Sequence, residues 1–263
     1  MKSLVLIKQV PNTDSPFRIN SAGTWVDQGN LTFGLNDYDR YALEEALRLK
    51  DAGKVAEVVA LTAGPERAAS ALRTCLATGA DRGVHIKDEA LTAADPLLVA
   101  RAIVSAVKDE GFSLILCGLQ SDDDNYMQIG PFVARLLDRP CATAAMRLDL
   151  QDGVVRVERE LENNRLQVVD LTLPAVVTVQ TGINEPRYAS LKGIMAAKKK
   201  EIKTLSLADL KIGASEIAAS SARFRTVRLA TPPKGKGAEM LTGPADQVAK
   251  ELVKRIKEKT GVL

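Results

Sequence analysis

Residues 57 to 86 read EVVALTAGPERAASALRTCLATGADRGVHI, and they contain one complete strand–helix–strand unit. The apolar run Glu57 to Thr62 is typical of a buried strand, and Gly64-Pro65 begins a helix with proline in its first turn. Gly79 ends that helix, and Gly83 to Ile86 forms the next short strand. This order predicts a right-handed crossover between two parallel strands.

The same alternation continues on both sides of this unit. Leu4 to Val10 indicates a buried first strand, and Asp39 to Asp51 an amphipathic helix. A helix over Leu97 to Lys108 and a strand over Ser113 to Cys117 follow, and the pattern from about Met127 to Leu137 is again helical. We therefore predict an α/β fold with a doubly wound parallel sheet of the nucleotide-binding type.

The pattern changes after Pro140, where consecutive strand-like runs replace the alternation. Tight-turn signals at Asp152-Gly153 and Asn163-Asn164 separate the first three runs. The runs are Ala144 to Leu150, Val154 to Leu161, Arg165 to Leu171 and Ala175 to Gln180. Together they predict an antiparallel meander appended to the parallel sheet.

The chain divides into one large unit and an arm. We predict an α/β domain over residues 1–205, which includes the meander and an exposed loop at 183–200. Residues 206–263 form an extended C-terminal arm with a flexible segment, Thr231 to Gly237, and a final amphipathic helix, Ala245 to Lys257. Because the arm has little core of its own, we expect it to wrap on a partner subunit.

The bulk properties exclude several classes of protein. The 263 residues are 46% hydrophobic and 26% charged, and the net charge of +3 does not indicate binding to nucleic acid or a membrane surface. Three scattered cysteines favour a reducing compartment over a disulfide framework, and with the single His85 they predict no metal site. The N-terminal apolar run is too short for a signal peptide, so we expect a cytoplasmic, bacterial protein without membrane insertion.

The loop from Gly118 to Pro131 is a candidate ligand site, because it follows a strand end and precedes a helix. Backbone N–H groups at the helix start can hold a phosphate. Three consecutive aspartates, Asp122 to Asp124, would repel that phosphate, so most of them must point away or cap the helix. A solvated helix N-terminus, with acidic residues favoured by the helix dipole, explains the same pattern, and both interpretations stay open.

The turn from Thr62 to Pro65 lies at the same end of the sheet. The small residues Ala63 and Gly64 allow a planar ring to approach the backbone closely. The sequence contains no phosphate-binding loop with its lysine, no G-x-G-x-x-G pattern and no arguable nucleophile–base set. We therefore predict no catalytic residue.

Ile183 to Lys200 forms a candidate docking loop. Pro186 stops the preceding strand, and Leu191, Ile194 and Met195 then recur at helical spacing ahead of the run Lys198 to Lys200. An apolar tip beside positive charge suits docking to another protein, whereas an ordinary solvated loop explains the residues equally well.

Several runs resemble the signature of electron transfer flavoprotein β subunits. They are Leu173 to Gln180, Asn184 to Leu191, Lys198 to Lys200, Ala71 to Gly83 and Asn36 to Lys50, and the match covers nearly the whole chain in order. The resemblance implies a heterodimer with an α subunit. In that heterodimer FAD is shared with and mainly held by α, while β binds a structural AMP.

The resemblance also implies roles for individual residues. The AMP would lie on the loops already identified, with Gln128 and the following backbone at the phosphate and Tyr38 near the hydrophobic edge of the flavin. Glu160 resembles the glutamate that pairs with an arginine of the mobile flavin domain. Leu191 matches the anchor residue of the recognition loop that inserts into the partner dehydrogenase. Tyr188, Ile194 and Met195 complete the docking set. The implied cofactor-binding residues are Leu6, Asn36, Asp37, Tyr38, Asp39, Ala63, Gly118, Gln120, Ser121, Asp122, Asp123, Asp124, Asn125, Tyr126, Met127, Gln128 and Ile129.

The function implied is that of an electron carrier and not an enzyme. Flavoprotein dehydrogenases of the acyl-CoA type, as in fatty acid β-oxidation, would reduce the FAD, and a quinone oxidoreductase of the respiratory chain would accept the electrons. A second hypothesis is the bifurcating branch, in which β carries a second FAD and oxidises NADH; bulky Tyr126 and Met127 replace a small pair of that branch and favour AMP. A third is a standalone adenine-nucleotide sensor or hydrolase, against which the arm and the missing catalytic groups argue.

Overall fold

The computed structural model describes residues 1–92, 94–217, 223, 226–233, 235 and 237–261. Parts of the predicted C-terminal arm therefore lie outside the described residues, including Lys234 and Lys236 of the segment predicted to be flexible.

Nine strands form one sheet, and two more form a small antiparallel pair. In chain order the strands are β1 (Lys2–Leu6), β2 (Gln9–Pro11), β3 (Phe33–Leu35), β4 (Glu57–Gly64), β5 (Arg82–Lys87), β6 (Leu114–Gly118), β7 (Cys141–Gln151), β8 (Val154–Leu161), β9 (Arg165–Thr172), β10 (Ala175–Val179) and β11 (Ile202–Leu205). The large sheet has the order β11-β5-β4-β1-β6-β10-β7-β8-β9. Its strands from β11 to β7 are parallel, and β8 and β9 continue it in antiparallel register.

Helices cover both faces of the parallel region, which confirms the doubly wound α/β fold. They are α1 (Asp37–Asp51), α2 (Ala69–Thr78), α3 (Pro96–Val107), α4 (Ile129–Leu136), α5 (Leu191–Ala197), α6 (Ala214–Ile217) and α7 (Ala245–Thr260). One core cluster joins the sheet to α1, α2 and α5, and a second joins its other face to α3 and α4. Asp95 caps α3 as its sequence predicts, because its Oδ1 accepts the N–H of Leu97 at 2.7 Å.

The prediction that Ala175 to Gln180 is the fourth strand of the meander was wrong. The strand β10 lies between β6 and β7 and runs parallel to both, so the meander consists of β7, β8 and β9. All five residues of β10 are buried. A continuous Val- and Ala-rich run of this kind is typical of a strand covered on both faces, as in a parallel sheet.

The short edge strand β11 was not predicted, because four residues with an exposed lysine carry no clear alternation. Beyond it, Leu207 and Ile212 are buried in the core on the α3 side, so packed structure continues past residue 205. The division into a domain over 1–205 and an arm over 206–263 stays a prediction.

The helix α7 has no buried residue. Its apolar residues Leu252, Val253 and Ile256 are exposed, among many charged residues. Among the residues that the structure describes, none of the helices is both long and apolar enough to cross a membrane.

Candidate nucleotide site and docking surface

A cavity of about 860 Å³ opens at the carboxyl ends of β1, β4 and β6. The crossovers leave β1 and β6 in opposite directions along the sheet, and ligands of doubly wound proteins bind at such a point. The cavity brings together most of the residues that the sequence assigned to the nucleotide. They are Leu6, Asn36, Asp39, Ala63, Gly118, Gln120, Ser121, Asp123, Asp124, Tyr126, Met127, Gln128 and Ile129.

Asp39 connects two of the strand ends that form this cavity. Its Oδ2 accepts the N–H of Lys8 at 2.7 Å, and its Oδ1 accepts the N–H of Gly118 at 3.0 Å, so one carboxylate joins the ends of β1 and β6. Burial raises the pKa of Asp39 to about 7, although these N–H donors act to lower it. Gly118 leaves the space for this contact, since a Cβ there would lie 2.5 Å from Asp39 Oδ1.

Asn36 makes a second bridge between the start of α1 and the loop after β6. Its amide donates to the Gln120 carbonyl oxygen at 2.9 Å, and its Oδ1 accepts the N–H of Asp122 at 3.0 Å. The Asp122 carboxylate in turn accepts the N–H of Asp37 at 3.3 Å, and Gln120 donates to the Tyr38 hydroxyl at 3.2 Å. Asp37, Tyr38 and Asp122 do not line the cavity, and their hydrogen bonds instead connect the start of α1 to the loop after β6.

Lys8 forms ion pairs with the other two aspartates of the loop. Its Nζ lies 2.7 Å from Asp123 Oδ1 and 2.8 Å from Asp124 Oδ2, and it donates to Ser121 Oγ at 3.2 Å. Burial acts to lower the pKa of Lys8, but attraction to the two carboxylates outweighs it and the pKa is raised. The Asp122 carboxylate thus accepts a backbone N–H, whereas those of Asp123 and Asp124 bind Lys8. Because Asp123 and Asp124 also line the cavity, the expectation that most of the aspartates point away from an anion stays a prediction.

The loop then turns sharply into α4. Asn125 and Met127 have φ values of 54° and 56°, in the left-handed region that side chains rarely adopt. The helix begins at Ile129, and the first N–H groups of a helix have no partner within it. Gln128, Ile129 and Gly130 line the cavity, so this helix start offers N–H donors and its positive dipole end to an anion.

Sequence reasoning missed several residues of the cavity, namely Lys8, Trp25, Asp95 and Arg223. Lys8 directly follows the buried run at the end of β1, which is a signal that could have identified it. Trp25 is the single tryptophan of the chain and lies next to Val26, which forms an antiparallel bridge with Ile19. Asp95 and Arg223 come from distant parts of the chain and meet through the Arg223 N–H, which donates to Asp95 Oδ2 at 2.6 Å.

The predicted docking residues form an exposed apolar cluster. The exposed fractions are 92% for Tyr188, 84% for Leu191, 64% for Met195 and 45% for Ile194. Ser190 caps α5 by accepting the N–H of Gly193 at 3.0 Å, so the cluster lies on an ordered helix start. Adjacent exposed apolar side chains of this kind mark interaction surfaces.

Buried and half-buried polar contacts attach the docking loop to α1. Arg187 binds Glu44 through two nitrogens at 2.8 and 3.0 Å and binds Asp51 at 2.8 Å. Hydrogen bonds to Glu44 raise the pKa of Arg187, so it stays charged. Asn184 donates to Glu45 Oε2 at 2.9 Å and to the Tyr41 carbonyl oxygen at 3.0 Å.

The lysine run at the other end of the loop is not uniform. Lys198 and Lys199 are exposed, but the Nζ of Lys200 donates to the carbonyl oxygens of Leu76 at 3.0 Å and Ala80 at 2.6 Å. It thereby satisfies carbonyl groups at the C-terminus of α2, a common position for lysine. Lys200 is therefore neither a freely solvated lysine nor a charge available to a docking partner. It attaches the end of α5 to α2.

Glu160 lies apart from both regions, on the exposed outer face of β8 opposite Leu166 of β9. Gln180 donates to its Oε2 at 2.9 Å and fixes the carboxylate near the end of β10. Among the described residues, no group of three or more His, Cys, Asp or Glu side chains is placed to hold a metal ion.

Comparisons with known proteins agree on one family. The model of the electron transfer flavoprotein domain matches residues 25–210. The chain is 38% identical to the electron transfer flavoprotein subunit beta of Methylophilus methylotrophus over 99% of this chain and 100% of that protein. It is 38% identical to the same subunit of Bradyrhizobium diazoefficiens over the full length of both, and 35% identical to that of Sus scrofa over 98% of this chain and 97% of that protein. The chain therefore belongs to the family of electron transfer flavoprotein β subunits.

Proposed function

We propose that this chain carries out electron transfer as one half of a heterodimer, with FAD held mainly by an α subunit. Flavoprotein dehydrogenases of the acyl-CoA type reduce the FAD, and the complex passes electrons to a quinone oxidoreductase. The observation that carries this proposal is the exposed cluster around Leu191, which is built on a loop attached at both ends to the core. A rigid apolar tip of this kind suits repeated, transient docking.

The cavity supports the proposal that this subunit binds AMP. The start of α4, with Gln128, would hold the phosphate, and the small residue Ala63 leaves room for a flat ring beside β4. The three aspartates are compatible with this assignment, because Lys8 and backbone N–H groups bind their carboxylates and so reduce the repulsion of a phosphate. AMP would act structurally, since a ligand that binds only the folded state stabilises it.

The C-terminal arm supports the proposed heterodimer. The helix α7 is amphipathic, yet none of its residues is buried against this chain. An amphipathic helix needs a surface for its apolar side, and the α subunit would supply it. We also propose a location in the bacterial cytoplasm, where the three free cysteines stay reduced.

The proposal is tested by purifying the chain together with its α subunit and measuring the bound ligands by mass spectrometry. We expect one FAD and one AMP per heterodimer. Recovery of the chain alone, with ATP turnover, would instead support a standalone nucleotide sensor or hydrolase.

One observation favours the bifurcating type as a second candidate. The cavity volume of about 860 Å³ lies toward the upper end of the range of about 300–1,000 Å³ for small-molecule sites. It is therefore large for a mononucleotide. Two FAD per heterodimer, with reduction by NADH, would establish this type, whereas Tyr126 and Met127 at the cavity wall argue against it.

A further inference from the structure

We propose that Lys8 is the positioning residue that converts an acidic loop into an anion site, and that it does so without binding the anion itself. The inference rests on the proposed AMP function and adds a residue that the resemblance does not assign. It concerns how a phosphate is accepted beside Asp123 and Asp124.

The geometry commits the Lys8 side chain to the loop. Its Nζ has three partners within hydrogen-bond distance, namely Asp123 Oδ1 at 2.7 Å, Asp124 Oδ2 at 2.8 Å and Ser121 Oγ at 3.2 Å. An ammonium group has three donors, so these partners occupy all of them. Lys8 therefore acts on a phosphate through the loop and not by direct contact.

The backbone keeps Lys8 in this position. Its N–H donates to the buried Asp39 carboxylate at 2.7 Å, and Asp39 also binds the N–H of Gly118. The lysine is thus attached at its backbone to the floor of the cavity and at its side chain to the wall. It cannot turn toward the ligand without breaking contacts at one of these two places.

The charges explain why the lysine is needed. Asp123 and Asp124 line the same cavity as the start of α4, where the phosphate would bind. Two uncompensated carboxylates would repel a phosphate in this partly buried space, where screening by water is weaker than at the surface. With Lys8 present the local charge is about half compensated, and the hydrogen bonds direct the carboxylates toward Nζ.

The same contacts shape the loop. Ser121 donates from Oγ to Asp124 Oδ1 at 2.7 Å, and the Tyr126 N–H donates to the same oxygen at 3.3 Å. Asp124 therefore connects Lys8 to the residues that lead into α4. A test must separate this structural contribution from the charge effect.

The test compares AMP with adenosine, which lacks the phosphate, by calorimetry on nucleotide-free heterodimer. For Lys8→Met we expect AMP binding to weaken roughly tenfold to a hundredfold, while adenosine binding changes by less than about threefold. Lys8→Arg keeps the charge and should bind AMP nearly as wild type does. Adding Asp123→Asn and Asp124→Asn to Lys8→Met should restore most of the AMP affinity, because the repelling charges are then absent.

Equal weakening of AMP and adenosine by Lys8→Met would overturn the proposal, since it would show a purely structural role. Unchanged AMP binding by Lys8→Met would also overturn it, while leaving the nucleotide function intact. Wild-type protein that binds neither ligand would instead remove the nucleotide function, and this inference with it.

A second variant tests the charge mechanism if Lys8→Met does not form the heterodimer. Asp123→Asn with Asp124→Asn removes both carboxylates that bind the Lys8 ammonium group and keeps its positive charge. We expect it to bind AMP about threefold to tenfold more tightly than wild type and adenosine about equally. Weaker or unchanged AMP binding would contradict the charge mechanism.

Discussion

The cavity proposed to bind a nucleotide and the loop proposed to dock a partner use polar contacts in opposite ways. In the cavity, the contacts of Asp39, Asn36 and Lys8 connect α1 and the end of β1 to the loop after β6, and these polar groups lie beside the ligand space. In the docking loop the polar contacts of Arg187 and Lys200 lie behind the functional surface, which is apolar and exposed. The first region is therefore sensitive to charge and pH, and the second to the shape and attachment of one short helix.

The largest effect is expected from Leu191→Ala, which removes the most prominent aliphatic side chain of the docking surface. Truncating a central apolar anchor typically costs about 2–4 kcal/mol of binding free energy. We expect stopped-flow reduction by a dehydrogenase to slow by at least about tenfold, while the FAD content of the heterodimer is unchanged. Leu136→Ala, at an exposed leucine of α4, is the matched control and should have no effect. Unchanged transfer kinetics in Leu191→Ala would rule out this surface.

Arg187→Gln should have the next largest effect, because it detaches the docking loop from α1. The Glu44 side chain is 5% exposed, and losing its bidentate partner leaves a buried charge with Arg48 and the backbone N–H of residue 187. We expect a loss of roughly 2 kcal/mol in stability by denaturant unfolding, together with slower docking. Adding Glu44→Gln should recover part of the stability. If docking slowed in Leu191→Ala but not in Arg187→Gln, the attachment to α1 would not matter for function.

The cavity should instead respond to pH through Asp39. Its pKa rises from 3.8 to about 7 on burial, so the stability from its proton is fully present below 3.8 and is lost as pH rises through 7. Relative to Asp39→Asn, the wild type should therefore lose about 1–2 kcal/mol between about pH 6 and pH 8. Thermal unfolding of both proteins at fixed concentration measures this difference. A stability difference that is independent of pH would show that Asp39 is ionised throughout.

The smallest effect separates the lysines of the run after α5. Lys200→Gln removes a donor to two carbonyl oxygens at the end of α2 and should cost about 1 kcal/mol. Lys199→Gln is the matched control, and as an exposed residue it should change the unfolding free energy by less than about 0.5 kcal/mol. Equal costs would mean that Lys200 is as dispensable as its neighbour.

The fold class could be predicted because parallel strands and their crossover helices leave strong periodic signals. The error at Ala175 to Val179 has a physical reason: a strand that follows a meander in sequence can return to the middle of the sheet, and pairing is not visible in a local pattern. The local sign in the sequence is the continuous Val- and Ala-rich run, and the structure buries all five of its residues.

The candidate site could be predicted where its residues are contiguous in the sequence. It could not be predicted where residues from distant segments come together. The loop from Gly118 to Ile129 is unusual by itself, but the contacts of Lys8 with Asp123 and Asp124 depend on the pairing of β1 with β6. Likewise the Lys198 to Lys200 run looks uniform in sequence, and only the packing of α5 on α2 distinguishes Lys200. Long-range pairings of this kind decide function here and cannot be derived from spacing.

The helix α5 lies so close to α2 that a Cβ on Gly193 would overlap the Ala77 carbonyl oxygen. Its placement is thus set by backbone contact, whereas Leu191, Ile194 and Met195 are exposed and belong to neither core cluster. Under the proposed docking role, the choice of redox partner is therefore separable from folding. A library that varies these three side chains and keeps Gly193 would be a practical route to carriers that draw electrons from one chosen dehydrogenase in a cell containing several.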